Sequence, residues 1–106
     1  MFVRKVSVRL KVDSAGEFIR KMEAEIIPLL RKQQGFLDEL TLISQSGKEV
    51  YAYSFWENSA DAEKYDHQAF ANVTSMLAGL TDGPLRINTY MVANSTFHKM
   101  AVAASF

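Results

Sequence analysis

The chain has no cysteine, a single tryptophan, two prolines and no surplus of either charge. Without cysteine there is no disulfide, no thiol nucleophile and no thiolate metal site, which fits a reducing compartment, so a cytoplasmic location is expected. Twelve Lys and Arg against twelve Asp and Glu remove the electrostatic footprint of a nucleic-acid binder or a polybasic membrane anchor. Long apolar runs are also missing: the longest, residues 26–30 and 100–104, fall far short of the roughly 20 residues that span a bilayer. Phe2-Val3 passes directly into Arg4-Lys5, unlike the apolar core of a secretory signal. Two histidines, His67 and His98, with no H-E-x-x-H pattern make no recognisable zinc site, and the glycine-rich signatures of nucleotide and dinucleotide binding are absent, as is G-x-S-x-G. Metal, nucleic acid and membrane are therefore not expected partners.

What is present is the composition of an ordinary globular domain, 48% apolar and 23% charged over 106 residues. One domain spanning 1–106 is expected. Residues 2–12 alternate: Val6, Val8, Leu10 and Val12 share one parity, while Val3, Lys5, Ser7, Arg9 and Lys11 share the other. Period two with β-branched residues predicts a strand with two unlike faces. Ser14 and Glu17 have the spacing of a capping box, and Phe18, Met22, Ile26 and Leu29 form an apolar stripe at helical spacing. Pro28 should disturb that helix, and Gly35 should stop it. Residues 36–44 and 49–56 read as an antiparallel hairpin closed by Gln45-Ser46-Gly47-Lys48. After Trp56, Asn58 and Ser59 are candidate N-caps of a second helical region with a break near 67–69, carrying Phe70, Val73, Met76, Leu77 and Leu80. Asp82-Gly83-Pro84 reads as a turn, and residues 85–93 as a closing strand.

The resulting β-α-β-β-α-β order is the ferredoxin-like α+β pattern, in which two helices cover one face of a four-stranded antiparallel sheet. The uncovered face is too large a patch for a small monomer. A homodimer that closes the two sheets into a barrel is therefore expected, with the apolar tail, residues 94–106, packing at the interface.

Three segments resemble the antibiotic biosynthesis monooxygenase family of dimeric α+β barrels: Ile26-Ile27-Pro28-Leu29-Leu30-Arg31-Lys32-Gln33-Gln34-Gly35-Phe36, Tyr53-Ser54-Phe55-Trp56-Glu57-Asn58, and Tyr65-Asp66-His67-Gln68-Ala69-Phe70. With the order of elements they cover residues 2 to about 93. The resemblance implies a cavity in each subunit and activities such as cofactor-independent oxygenation of polycyclic aromatics, quinol oxidation or haem degradation. The haem-degrading branch carries an asparagine on strand one, a second tryptophan and a histidine on the last helix. Here Ser7, Tyr65 and Ser75 stand near those places, which disfavours haem.

The chemistry expected is the binding of a small flat oxygen-bearing molecule and its oxidation without a cofactor. Arg9, mid-strand on the face expected to look into the barrel, either holds a phenolate or enolate or pairs with a carboxylate such as Glu39. His67 or Tyr65 moves the proton. Trp56 and Tyr53 wall the ligand, or pack in the core, while Ser7 and Asn72 offer hydrogen bonds. Tyr51 and Tyr90 are further hydroxyls for the lining, and His98 packs or caps at the dimer seam. The alternative is a dimer of the same fold that binds a small ligand, or only assembles, without turnover.

Overall fold

The computed structural model describes residues 1–97; the part of the tail beyond, with His98, Val102 and Phe106, lies outside the described residues. Strand β1 (Phe2–Leu10) leads into helix α1 (Ala15–Lys21), a π-wound turn (Met22–Ile26) and helix α2 (Ile27–Arg31). Strands β2 (Phe36–Ile43) and β3 (Glu49–Trp56) form the hairpin, followed by α3 (Ser59–Gln68), α4 (Phe70–Leu77) and β4 (Thr81–Met91). The sheet has the order β2-β3-β1-β4 and every pairing is antiparallel. This is the ferredoxin-like α+β arrangement, with β1 in the middle and the second helical region split in two.

Register sorts the side chains into faces. Val8 lies opposite Val50, Val6 between Ala52 and Ile87, and Arg4 between Ser54 and Thr89. Strand β2 extends these rungs with Ile43, Thr41 and Glu39. The helices cover this face, where Val8, Leu10, Val50 and Trp56 pack with Phe18, Met22, Ile26, Leu30 and Val73. On the opposite face Leu40, Leu42 and Tyr90 remain 43%, 46% and 48% exposed, beside Lys5, Ser7 and Arg9.

Local chemistry explains most boundaries. Pro28 has no N–H for the helical ladder, and the regular α pattern is interrupted in the turn before it. The Asn58 side chain accepts from the Asp61 N–H at 2.9 Å and caps α3. Ala69, at φ −127°, ψ −24°, breaks α3 from α4, which turns the apolar face of α4 onto the core.

Two local expectations are corrected. The capping box at Ser14 does not form, because Ser14 sits at φ −99°, ψ −6°, near helical values, and its hydroxyl is not aimed at the first-turn N–H groups. The Asp82-Gly83-Pro84 turn is instead an irregularity inside β4: the pairing jumps from Ser7–Arg86 to Arg9–Asp82, with Gly83 at φ +83°. An edge strand tolerates this, since Pro84 has no N–H to lose from a ladder and Gly83 has no Cβ to strain. The connection into β4 is made by residues 78–80.

Gly35 adopts φ +77°, and a Cβ there would run into Asp61, including its Cβ at 2.6 Å. Gly35→Ala is therefore expected to lower the unfolding free energy by about 1–3 kcal/mol. An unchanged urea midpoint would contradict the close approach.

Candidate functional site

Between the sheet and the helices lies a cavity of about 310 Å³. Its floor is the middle rung of the sheet, where the short side chains of Ala52 and Val6 line it. Its walls are mostly apolar, from Phe18, Met22 and Ile26 on one side and Phe70, Val73 and Leu77 on the other. The charged groups enter at one end, on the rung Glu39–Ser54–Arg4.

Arg4 is the buried cation of the site, 4% exposed. Its parity puts it with Val6 and Val8 under the helices. The guanidinium carbon lies 3.9 Å from the Phe70 ring centroid and 5.4 Å from that of Tyr65, within cation–π range of both. Nη2 donates to Asp66 Oδ1 at 2.6 Å, and the Asp66 side chain is 41% exposed. A desolvated charge needs such a partner, and here the partner stands in water at the rim.

Behind Arg4 the polar groups form a chain. Trp56 Nε1 donates to Ser54 Oγ at 2.9 Å, and Ser54 Oγ donates to the Arg4 carbonyl at 3.4 Å. Trp56 is fully buried and stacks on Tyr65 with centroids 5.1 Å apart at 29°, while Phe36 meets it edge-on at 5.6 Å. Trp56 therefore backs Tyr65 from one layer outside the cavity, and Tyr65 lines it.

Burial pushes the Tyr65 hydroxyl up to about 12, with the carboxylates of Asp66 and Glu39 adding to the rise and Arg4 opposing it. Tyr65 is thus a hydrogen-bond donor at neutral pH, not a base. Glu39 is also raised, by burial, with the hydrogen bond from Thr41 opposing. Among the described residues no group of three or more His, Cys, Asp or Glu is placed to hold a metal ion, and no helix is long and apolar enough to cross a membrane.

The residues expected from sequence do not all meet here. Tyr65 and Trp56 are together, as described. Arg9 and Ser7 lie on the open face of the sheet, across it from Tyr65, along a groove shared with Lys5, Tyr51 and Arg86. Arg9 is exposed in the single chain and stands in register with Glu49 and Asp82. Tyr53 borders the cavity, yet its ring stands on the open face, 5.9 Å from Lys5 Nζ. His67, in the last turn of α3, and Asn72, on α4, are exposed and do not line the cavity. Arg4, Ser54 and Asp66 were missed, and Glu39, expected only as a counter-charge for Arg9, lies on the helix-covered face with Ser54 and Arg4, across the sheet from Arg9. The available signal was Arg4 itself, a cation on the apolar parity of a central strand.

No family model matches the sequence, and no curated protein matches it. Solved structures do. The chain is similar to a monooxygenase from the gene ActVA-Orf6 of Streptomyces coelicolor, in complex with nanaomycin D, at 18% identity and a TM-score of 0.77 over 91% of this chain and 90% of that one. It is likewise similar to a putative antibiotic biosynthesis monooxygenase from Nitrosomonas europaea, at 18% identity and TM-score 0.73 over 89% of this chain and 100% of the other. A third, from Deinococcus radiodurans, matches at 17% and 0.69 over 90% and 95%. At these identities the likeness establishes the fold: the chain folds as the antibiotic biosynthesis monooxygenase structures do.

Proposed function

We propose that the cavity takes a small, flat phenolic or quinol-like aromatic and oxidises it with molecular oxygen, as a monooxygenase that needs no cofactor. The observation that carries this reading is Arg4: a buried guanidinium at the polar end of an apolar cavity. Oxygen accepts an electron readily only from an electron-rich substrate, and a phenol or enol becomes one by losing its proton. Arg4 then stabilises the anion where it forms, which is the preorganised charge complementarity that accelerates such steps. In an anthrone, for example, the two C–H bonds of the methylene carbon give way to one C=O, and the second oxygen atom leaves as water. Tyr65, kept protonated by burial, is the donor to the reduced oxygen. The fold-related Streptomyces protein, a monooxygenase with nanaomycin D bound, supports the same ligand shape.

Oxygen uptake by the purified chain with hydroquinones and anthrones tests this. Saturable uptake is expected, and background rates across the whole panel would refute it. A second reading, ligand binding without turnover, is favoured by one observation: Arg4 already carries the counter-charge of Asp66. Under that reading the same panel binds but consumes no oxygen.

The open sheet face fits a second copy of the chain, which hides Leu40, Leu42 and Tyr90. Light scattering is expected to give the mass of two 11.9 kDa chains, and Leu42→Glu to give one. A monomeric wild-type protein would sink the dimer.

A further inference from the structure

Glu39 is a carboxylate that the packing leaves without a cation. It lines the apolar cavity from β2, half-buried, and among the described residues no Lys or Arg pairs with it. Arg4, the cation nearest along its rung, is turned to Asp66 instead. Glu39 Oε2 accepts from Thr41 Oγ1 at 2.6 Å, which fixes the carboxylate, while among the described residues no donor reaches Oε1. Glu39 and Arg4 flank Ser54 on three adjacent strands, so their backbones stand about 10 Å apart, two strand spacings. Side chains of this length leave room between them for the oxygen-bearing edge of one ring.

We infer that Glu39 is the proton acceptor for a phenolic ligand held at Arg4, a catalytic residue of the reaction proposed above, on which the inference rests. The phenol O–H bond breaks, the proton goes to Glu39 Oε1, and the electron pair stays on the phenolate oxygen beside Arg4. One negative charge moves from carboxylate to ligand, and the net charge of the site does not change. The groups facing Glu39 are consistent with this role. They are Arg4 from β1 and Tyr65 from α3, with Tyr53 of β3 bordering the cavity, while the cavity walls from α1, the π turn, α2 and α4 carry no titratable side chain. Burial raises Glu39 above its ordinary 4.5, with Thr41 pulling the other way, so it is a stronger base than a solvated glutamate.

The test uses 4-cyanophenol, whose neutral and ionised forms absorb differently, with the full chain near neutral pH. Calorimetry in buffers of different ionisation enthalpy counts the protons released on binding. The wild type is expected to bind the probe ionised with no net proton release. Glu39→Gln is expected to bind it neutral, or ionised with about one proton released, and to lose about 100-fold in turnover. Three results overturn the inference: no binding to the wild type, a neutral bound probe, or an ionised one with a proton released. Glu39→Gln binding the ionised probe without release overturns it too, since another group must then accept the proton. If the wild type ionises the probe but consumes no oxygen with any substrate, the oxygenase reading fails and the proton acceptor stands.

The variant is also expected to fold well. Glu39 is raised in the folded state, so its ionisation destabilises the fold: the penalty is absent in acid, sets in as the pH rises through 4.5 and levels off above the folded value. Glu39→Gln is therefore expected to be more stable than wild type at neutral pH and equal to it in acid.

Discussion

Arg4→Met is expected to lower oxygen-dependent turnover by about 10²–10³-fold while leaving the protein folded. The guanidinium is the one buried charge that the cavity offers an anion among its described lining residues, and methionine fills a similar volume between Phe70 and Tyr65 without it. The partner left behind, Asp66, is already 41% exposed and takes up water, so the change in stability is expected to stay within about 2 kcal/mol. Arg4→Lys keeps the charge but loses the planar fork and the stack on Phe70, and should fall between the two. Uptake rates set beside thermal melts separate these effects. A folded Arg4→Met protein with wild-type turnover would remove Arg4 from the chemistry.

Trp56→Ala is expected to cost about 3–5 kcal/mol, a large part of the stability of a domain this size. The side chain is fully buried, and its loss leaves a void between Phe36 and Tyr65 and takes the Nε1–H donor from Ser54 Oγ. With about 4–8 °C of melting temperature per kcal/mol, the drop should reach at least about 12 °C by circular dichroism. Trp56→Phe keeps a ring against Tyr65 and should lose less than half as much. A loss under about 1 kcal/mol for the alanine variant would contradict the packing of Trp56 between Phe36 and Tyr65. The two variants also divide the site by role, since Trp56 acts through the position of Tyr65 and Arg4 through its charge.

The fold was legible because its signals are local and redundant. Alternation set β1, the polar link at 45–48 set the hairpin, Asn58 set the start of α3, and the apolar parity of Val6, Val8 and Leu10 set the face that the helices cover. Where several residues agree, one failure does no harm: Ser14 forms no capping box and α1 still begins beside it. The site was less legible because it depends on parity at single positions. Arg4 follows Phe2 and Val3 and precedes Lys5, so it reads as the polar start of a strand, yet its even number sends it under the helices with Val6 and Val8. Arg9 looked like the functional cation for the same reason in reverse, yet it stands near the end of β1 and on the open face. Glu39 and Asp66 carry no sequence signal of their own. Register brings Glu39 into line with Ser54 and Arg4, and the pitch of α3 brings Asp66 over the guanidinium.

Oxygen-18 gas with an anthrone or hydroquinone substrate gives the most direct test of the central claim. Product and water are analysed by mass spectrometry after turnover by the wild-type chain. Monooxygenation in the cavity predicts one labelled oxygen atom in the anthrone product, the other in water, and no build-up of hydrogen peroxide. Unlabelled product, or no turnover with peroxide absent and substrate unchanged, would contradict it.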